Sequence, residues 1–206
     1  MKSDIQEYYA SLDKRFIFEG GLNSIEDRAQ SDRLSEMCAN YNAKNIMEIG
    51  FNAGHSADLF LSCREDIKLV SFDLGIHEYV SYGKTFIDFK YPFRHSLILG
   101  DSKKTVPEFA AAHQDMKFDL IFIDGDHSEL GALHDLVNCK KLAHASSVVI
   151  LDDTRKEHPM KSWNIGPNVA WKKCKQGDYV TEISSEDYNA GNCPRGQTWG
   201  FYNNVE

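Results

Sequence analysis

Three observations predict an α/β fold built on a mostly parallel sheet. Short apolar runs recur at 45–49 (NIMEI), 67–72 (IKLVSF), 96–99 (SLIL), 118–123 (FDLIFI) and 147–151 (SVVIL), a style suited to strands covered on both faces. Helical patterns fall between them, near 55–64, 78–90, 103–114 and 128–142, and this alternation implies right-handed crossovers. The end changes style. A helix around 167–176 precedes 179–183 and 198–202, and the turn-rich stretch between those runs reads as a hairpin-like connection. Five parallel strands closed by an antiparallel pair give a seven-stranded mixed sheet with helices on both faces.

Ahead of this unit, residues 24–41 carry a helical stripe (Leu34, Met37, Cys38, Tyr41) behind Ser24 and Asp27, a capping-box variant. In the third crossover, Thr105 reads as an N-cap with Pro107 just inside the first turn, where a missing N–H costs least. No repeat or Pro/Gly/Ser-rich linker divides the 206 residues, so one domain spanning 1–206 is expected, with 1–41 as an N-terminal helical extension.

Composition narrows the partners. A net charge of −8 with no Lys/Arg run argues against nucleic-acid and membrane surfaces. No apolar stretch approaches the ~18–20 residues of a membrane span. The cysteines Cys38, Cys63, Cys139, Cys174 and Cys193 are scattered and odd in number, with no C-x-x-C, as suits reduced thiols in a cytoplasmic protein.

The chemistry is written at the strand ends. Glu48-Ile-Gly50-Phe51-Asn52-Ala-Gly54-His-Ser56 runs from a strand into a helix, at the carboxyl edge where open α/β sheets bind ligands. Glycines there allow close backbone approach, and free helix N–H groups can hold a carboxylate. A Walker loop would need one more residue between the glycines and a Lys where His55 stands; a dinucleotide loop would need glycine in place of Asn52. Glu48 suits a ligand that carries an ammonium and no pyrophosphate. Asp73 closes the second run, where a carboxylate can accept from a ribose diol. Asp101, followed by Ser102, closes the third, placed for an adenine amino group, and Asp124 closes the fourth. S-adenosylmethionine (SAM) presents that set of groups.

The loop 48–56, Asp73, Gly100-Asp101-Ser102, the run from Phe118 to Ser128, and Leu151-Asp152-Asp153-Thr154 together resemble the class I SAM-dependent methyltransferases. More narrowly, they resemble the family of small-molecule O-methyltransferases of the catechol and macrolide-sugar type. Residues 24–155 carry the resemblance, and Ala143–Ser147 departs from it where the family has a P-G-G turn. It implies a Rossmann-like sheet and a SAM site of Glu48, Gly50, Phe51, Asn52, Gly54, Ser56, Asp73, Leu74, Asp101, Ser102 and Asp124. It also implies a divalent cation such as Mg²⁺ on Asp124, Asp152 and Asp153, and His127 where catechol enzymes place a general-base Lys. Asp153 stands where those enzymes have Asn. A neutral imidazole near its usual pKa of about 6.5 could accept a hydroxyl proton. Asp126 is the weaker ligand candidate, since it could equally cap the helix that begins near Ser128, and His134, His144 and His158 are read as surface or structural. The aromatic segment 76–93 and Trp163 are candidates for an acceptor pocket, with core packing as the competing reading. The expected acceptor is a small hydroxylated molecule, and a homodimer is left open. A metal-independent methyltransferase and a non-catalytic SAM-binding module are the alternatives.

Overall fold

The computed structural model describes residues 4–19, 28–190 and 193–205. Its centre is a seven-stranded sheet. Strands β1 (Asn45–Ile49), β2 (Lys68–Asp73), β3 (His95–Leu99), β4 (Phe118–Ile123) and β5 (Ala143–Asp152) run parallel, and β6 (Val180–Ala190) and β7 (Cys193–Tyr202) complete the order β3-β2-β1-β4-β5-β7-β6. Strand β7 lies antiparallel to both β5 and β6. That is the architecture expected from the alternation of runs.

The period-2 geometry of the strands divides the core into two layers. Ile46, Leu69, Leu120, Phe122 and Ile150 face one side and pack under α1 (Asp4–Ser11), α2 (Arg28–Asn40), α3 (His55–Cys63) and α4 (Tyr79–Lys90). Their neighbours Met47, Val70, Ile121, Ile123 and Val149 face the other side, under α5 (Ser102–Ala112), α6 (Glu129–Cys139) and α7 (Ser162–Gln176). Each fully buried large side chain contributes roughly 1.5–3 kcal/mol. The stripe read in 24–41 is real where it is described: Leu34, Met37 and Cys38 are buried. Its expected cap, Ser24 with Asp27, lies outside the described residues. Among the described residues, no helix is long and apolar enough to cross a membrane.

Three boundaries differ from the sequence reading, each for a local reason. Helix α5 starts at Ser102, because the Asp101 carboxylate accepts from Lys103 N at 3.0 Å and caps it; Thr105 is already inside and Pro107 is in the helix body. Helix α7 also contains its proline, Pro167. It begins at Ser162, where the Asn164 side chain reaches back to Lys161 N (2.9 Å). Strand β5 begins at Ala143, upstream of a register shift against β4, and Ser147 Oγ bridges His144 N and Phe118 O across that irregularity. His144 itself contacts Asp119 at 3.1 Å, a structural role.

The largest difference is the hairpin. The stretch read as turn-rich is mostly strand, and β6 and β7 pair from Val180↔Tyr202 to Ala190↔Cys193. Its polar residues mimic a loop in sequence because they are partnered across space: Asp187 accepts from Lys156 N (3.0 Å) and Glu157 N (2.6 Å), and Arg155 Nη1 donates to the carbonyls of Tyr188 (2.8 Å) and Arg195 (3.0 Å). The long arms carry β7 past the end of β5, onto the carboxyl rim.

Candidate functional site

The β1–α3 loop is held from both sides. Gly50 has φ +95°, and a Cβ there would lie 2.1 Å from the Asp124 carbonyl oxygen, so conformation and contact both demand glycine. Gly50 N donates to Phe72 O (2.8 Å) and Asp124 N to Ile49 O (2.9 Å), which ties the ends of β1, β2 and β4 together. Gly54 takes φ +82° and Asn52 φ +51°, and the turn they make exposes α3's first N–H groups.

Each acidic residue at the first three strand ends has a defined task. Glu48 is completely buried; it accepts from Ser71 Oγ at 2.6 Å and from Ser56 Oγ. Burial lifts its pKa to about 7, against those two hydrogen bonds and with help from the charges of Asp124 and Asp73. Asp73 accepts from Asn52 N (2.8 Å) and Gly75 N (2.8 Å), so backbone amides fix both oxygens while lone pairs remain for incoming hydroxyls. Asp101 caps α5.

Ser102, Phe51 and Leu74, the other expected cofactor residues, sit in different surroundings. The Ser102 hydroxyl donates to buried Asp135 (2.6 Å), and the Phe51 ring stacks on His95 in the core. Leu74 is exposed beside the rim.

At β4 and β5 the carboxylates crowd. Asp124 is half-buried, while Asp152 and Asp153 are 2% and 0% exposed. Asp124, Asp153 and His127 each bring a ligand atom to within 4.8 Å of the others. His127 Nε2 lies 3.3 Å from Asp124 Oδ1 and 3.5 Å from Asp153 Oδ2. Arg195 Nη1 donates to both oxygens of Asp153 at 3.0 Å. Asp152 turns one oxygen to Gln30 Nε2 (2.8 Å), and the other, Oδ1, is buried with no hydrogen-bond partner among the described residues. Gln30, Gly50, Asn52, Asp124, Asp152 and Arg195 line one cavity, which joins the loop to the crowded rim.

Electrostatics follow from this crowding. Burial and then the neighbouring Asp124 push Asp153 up to about 6, and burial with Asp124 and Asp153 drives Asp152 well upward. The hydrogen bond to Asp124 lifts His127 to about 9, against its desolvation and assisted by the charges of Asp124, Asp153 and Asp152. His127 therefore holds its proton at neutral pH in this arrangement, unlike the free imidazole assumed from sequence.

The cap of α6 is Ser128, whose hydroxyl accepts from Gly131 N at 3.0 Å; Asp126 lies ahead of the helix and accepts from Ser128 N at 2.9 Å. Much of the aromatic segment went to packing, with Tyr79 and Tyr91 in the core and Phe89 and Phe93 exposed.

Sequence reasoning missed Gln30, Arg33, Tyr188, Arg195 and Gln197. Arg33 donates to Glu186 (2.8 Å) and Gln197 Oε1 (3.2 Å) and lies over the Tyr188 ring. These residues come from α2 and the hairpin, which local patterning does not link to the rim. One signal was present: Glu186, Asp187 and Arg195 sit in a stretch flanked by strand residues.

No curated protein sequence matches significantly. Among solved structures the chain is similar to the O-methyltransferase TomG from Streptomyces achromogenes in complex with SAM (15% identity, 98% of this chain and 91% of that one, TM-score 0.72). It is similar to the O-methyltransferase from Bacillus cereus in complex with SAH (16%, 98% and 92%, TM-score 0.72). It is also similar to SAH-bound methyltransferase PaMTH1 from Podospora anserina (16%, 98% and 89%, TM-score 0.68). At these identities the likeness is one of fold. The sequence itself matches the family described as "Methyltransferase domain" over residues 47–154, from β1 through the Asp152-Asp153 pair. With the strand order, the glycine loop and the rim carboxylates in place, the chain belongs to that methyltransferase family.

Proposed function

We propose that this methyltransferase moves a methyl group from SAM to a hydroxyl of a small molecule, assisted by a divalent cation on Asp124, Asp152 and Asp153. The observation that carries the cation is the meeting of Asp124, Asp153 and His127 ligand atoms within 4.8 Å of one another, with Asp152 Oδ1, which has no hydrogen bond among the described residues, in the cavity that Asp152 shares with Asp124 and the glycine loop. A buried acceptor without a donor is costly unless something occupies it, and hard oxygen donors suit Mg²⁺ or Mn²⁺. The residues fit the group. When bound, SAM would supply an electrophilic methyl on its sulfonium, and the cation would lower the pKa of the acceptor hydroxyl while drawing on the negative charge that now holds the His127 proton.

The chain's own contribution is placement and proton handling. Asp73, fixed by two amides, is set to take both ribose hydroxyls, and the free N–H groups of α3 are set for a carboxylate. Positioning alone supplies roughly 7–11 kcal/mol in favourable intramolecular cases. His127, once relieved of its proton, is the group beside Asp124 that accepts the hydroxyl proton. The bound SAM and SAH of the similar folds support the cofactor.

The test is turnover of a hydroxylated acceptor panel with SAM, before and after chelation. Activity restored by Mg²⁺ or Mn²⁺ supports the reading. Full activity after exhaustive chelation overturns the cation and favours a metal-independent enzyme, for which the positive charges of His127 and Arg195 on the cluster already speak.

A further inference from the structure

We propose that Arg195 is a resident counter-cation of the carboxylate cluster, holding Asp153 while no divalent cation is bound and giving it up when one binds. This rests on the cation reading of the same site and concerns how that cation is admitted. Arg195 Nη1 sits in the notch between Oδ1 and Oδ2 of Asp153, 3.0 Å from each. A Mg²⁺-type ion needs the same oxygens at about 2.0–2.1 Å, so the two positive groups would stand within a few ångströms of each other. Repulsion between such neighbours is strong away from bulk water, and Asp153 is completely buried. That repulsion favours the release of one of them.

The surroundings identify which one moves. The backbone at Arg195 is anchored, since Arg155 Nη1 donates to the Arg195 and Tyr188 carbonyls, while the side chain lines the cavity shared with Asp124 and Asp152. The guanidinium thus borders the cavity at the end of a flexible side chain whose backbone is fixed in the hairpin. The nearby arginines are committed elsewhere, Arg33 to Glu186 and Gln197, and Arg155 to backbone carbonyls. Burying two adjacent carboxylates with no compensating cation would be severely unfavourable, and Arg195 supplies that compensation in the cation-free protein. It also competes with the cation for Asp153, which keeps binding reversible.

The experiment compares wild type, Arg195→Gln and Arg195→Lys, all stripped with chelator. Mn²⁺ binding is followed by calorimetry and thermal unfolding is measured with and without Mn²⁺. Arg195→Gln is expected to bind Mn²⁺ at least about tenfold more tightly, the scale of truncating one member of a buried charge pair. Its melting temperature should fall in chelator and return to the wild-type value at saturating Mn²⁺, because the ion replaces the missing charge in the native state. Arg195→Lys keeps the charge but loses the planar fit, and should bind Mn²⁺ with an intermediate affinity.

Unchanged or weaker binding in Arg195→Gln, or a melting deficit that Mn²⁺ does not repair, overturns the proposal and makes Arg195 a structural strut. If Arg195→Gln fails to fold, an Arg195→Lys affinity equal to wild type overturns it. Mn²⁺ binding by Arg195→Gln alone, with none in wild type, supports the proposal and removes the cation from the native function. Binding by neither defeats both.

Discussion

The two ends of the carboxyl rim use acidic residues in opposite ways. Along β1–β3, Asp73 and Asp101 are separated and their oxygens are met by nearby backbone amides, and Glu48 by two serine hydroxyls. Along β4–β5, Asp124, Asp152 and Asp153 press together and are balanced by charged side chains, His127 and Arg195, that come from another loop and another strand. The first arrangement pre-organises acceptors for a neutral diol and an ammonium. The second holds clustered negative charge that a cation can claim from His127 and Arg195. Amide-satisfied carboxylates make a fixed cradle, and crowded ones make a site whose charge state depends on what enters it.

The largest expected effect breaks the crowded end alone. Asp152→Ala/Asp153→Ala should reduce cation-dependent turnover by at least about a thousandfold, in the range of losing a major electrostatic contribution to the transition state. SAM affinity should remain within a few-fold of wild type; a parallel loss of SAM affinity would show that the two ends are not separable. The mirror experiment is Asp73→Ala. Losing charge-assisted hydrogen bonds of about 1.5–3 kcal/mol each should weaken SAM binding by about a hundredfold in calorimetry. Unchanged affinity would remove Asp73 from the cradle.

Glu48 tests where the ends meet, since Asp124 and Asp73 both raise its pKa. Its folded pKa of about 7 lies above the unfolded carboxyl value, so its contribution to stability is present below about 4.5 and fades as pH rises through 7. Glu48→Gln should therefore gain melting temperature over wild type between pH 5 and 8, by a few degrees for about 1 kcal/mol. A pH-independent difference would place the charge elsewhere. The smallest effect is Asp101→Ala, which removes the α5 N-cap and should cost about 1 kcal/mol in denaturant unfolding while leaving Mn²⁺ binding unaltered.

Legibility followed the same division. The apolar runs at 45–49 and 118–123 match β1 and β4 to the residue, since strands buried on both faces announce themselves by composition. Gly50 was legible as a loop glycine because its φ and its contact with Asp124 follow from a tight strand-to-helix turn. Pro107 misled, because proline favours first turns, yet it lies in the body of α5, and α7 starts at Ser162, ahead of the expected 167. The hairpin arms misled more. Glu186, Asp187 and Arg195 look solvated until Arg33, the Lys156–Glu157 amides and Asp153 are brought to them from far along the chain.

By itself, then, the order of residues determined the parallel sheet, the glycine loop and the placing of an acidic residue at each strand end. Those features depend on hydrophobic period and on amides within a few residues, or on the neighbouring strand that the period dictates. Only the tertiary structure decided that Asp153 would be matched with Arg195, that Asp152 would keep one oxygen unpartnered, and that His127 would hold its proton. The first two depend on partners distant in sequence, and the third on burial and on charges both near (Asp124) and far (Asp152, Asp153) along the chain, since Coulomb interactions in a low-dielectric rim are set by distance in space.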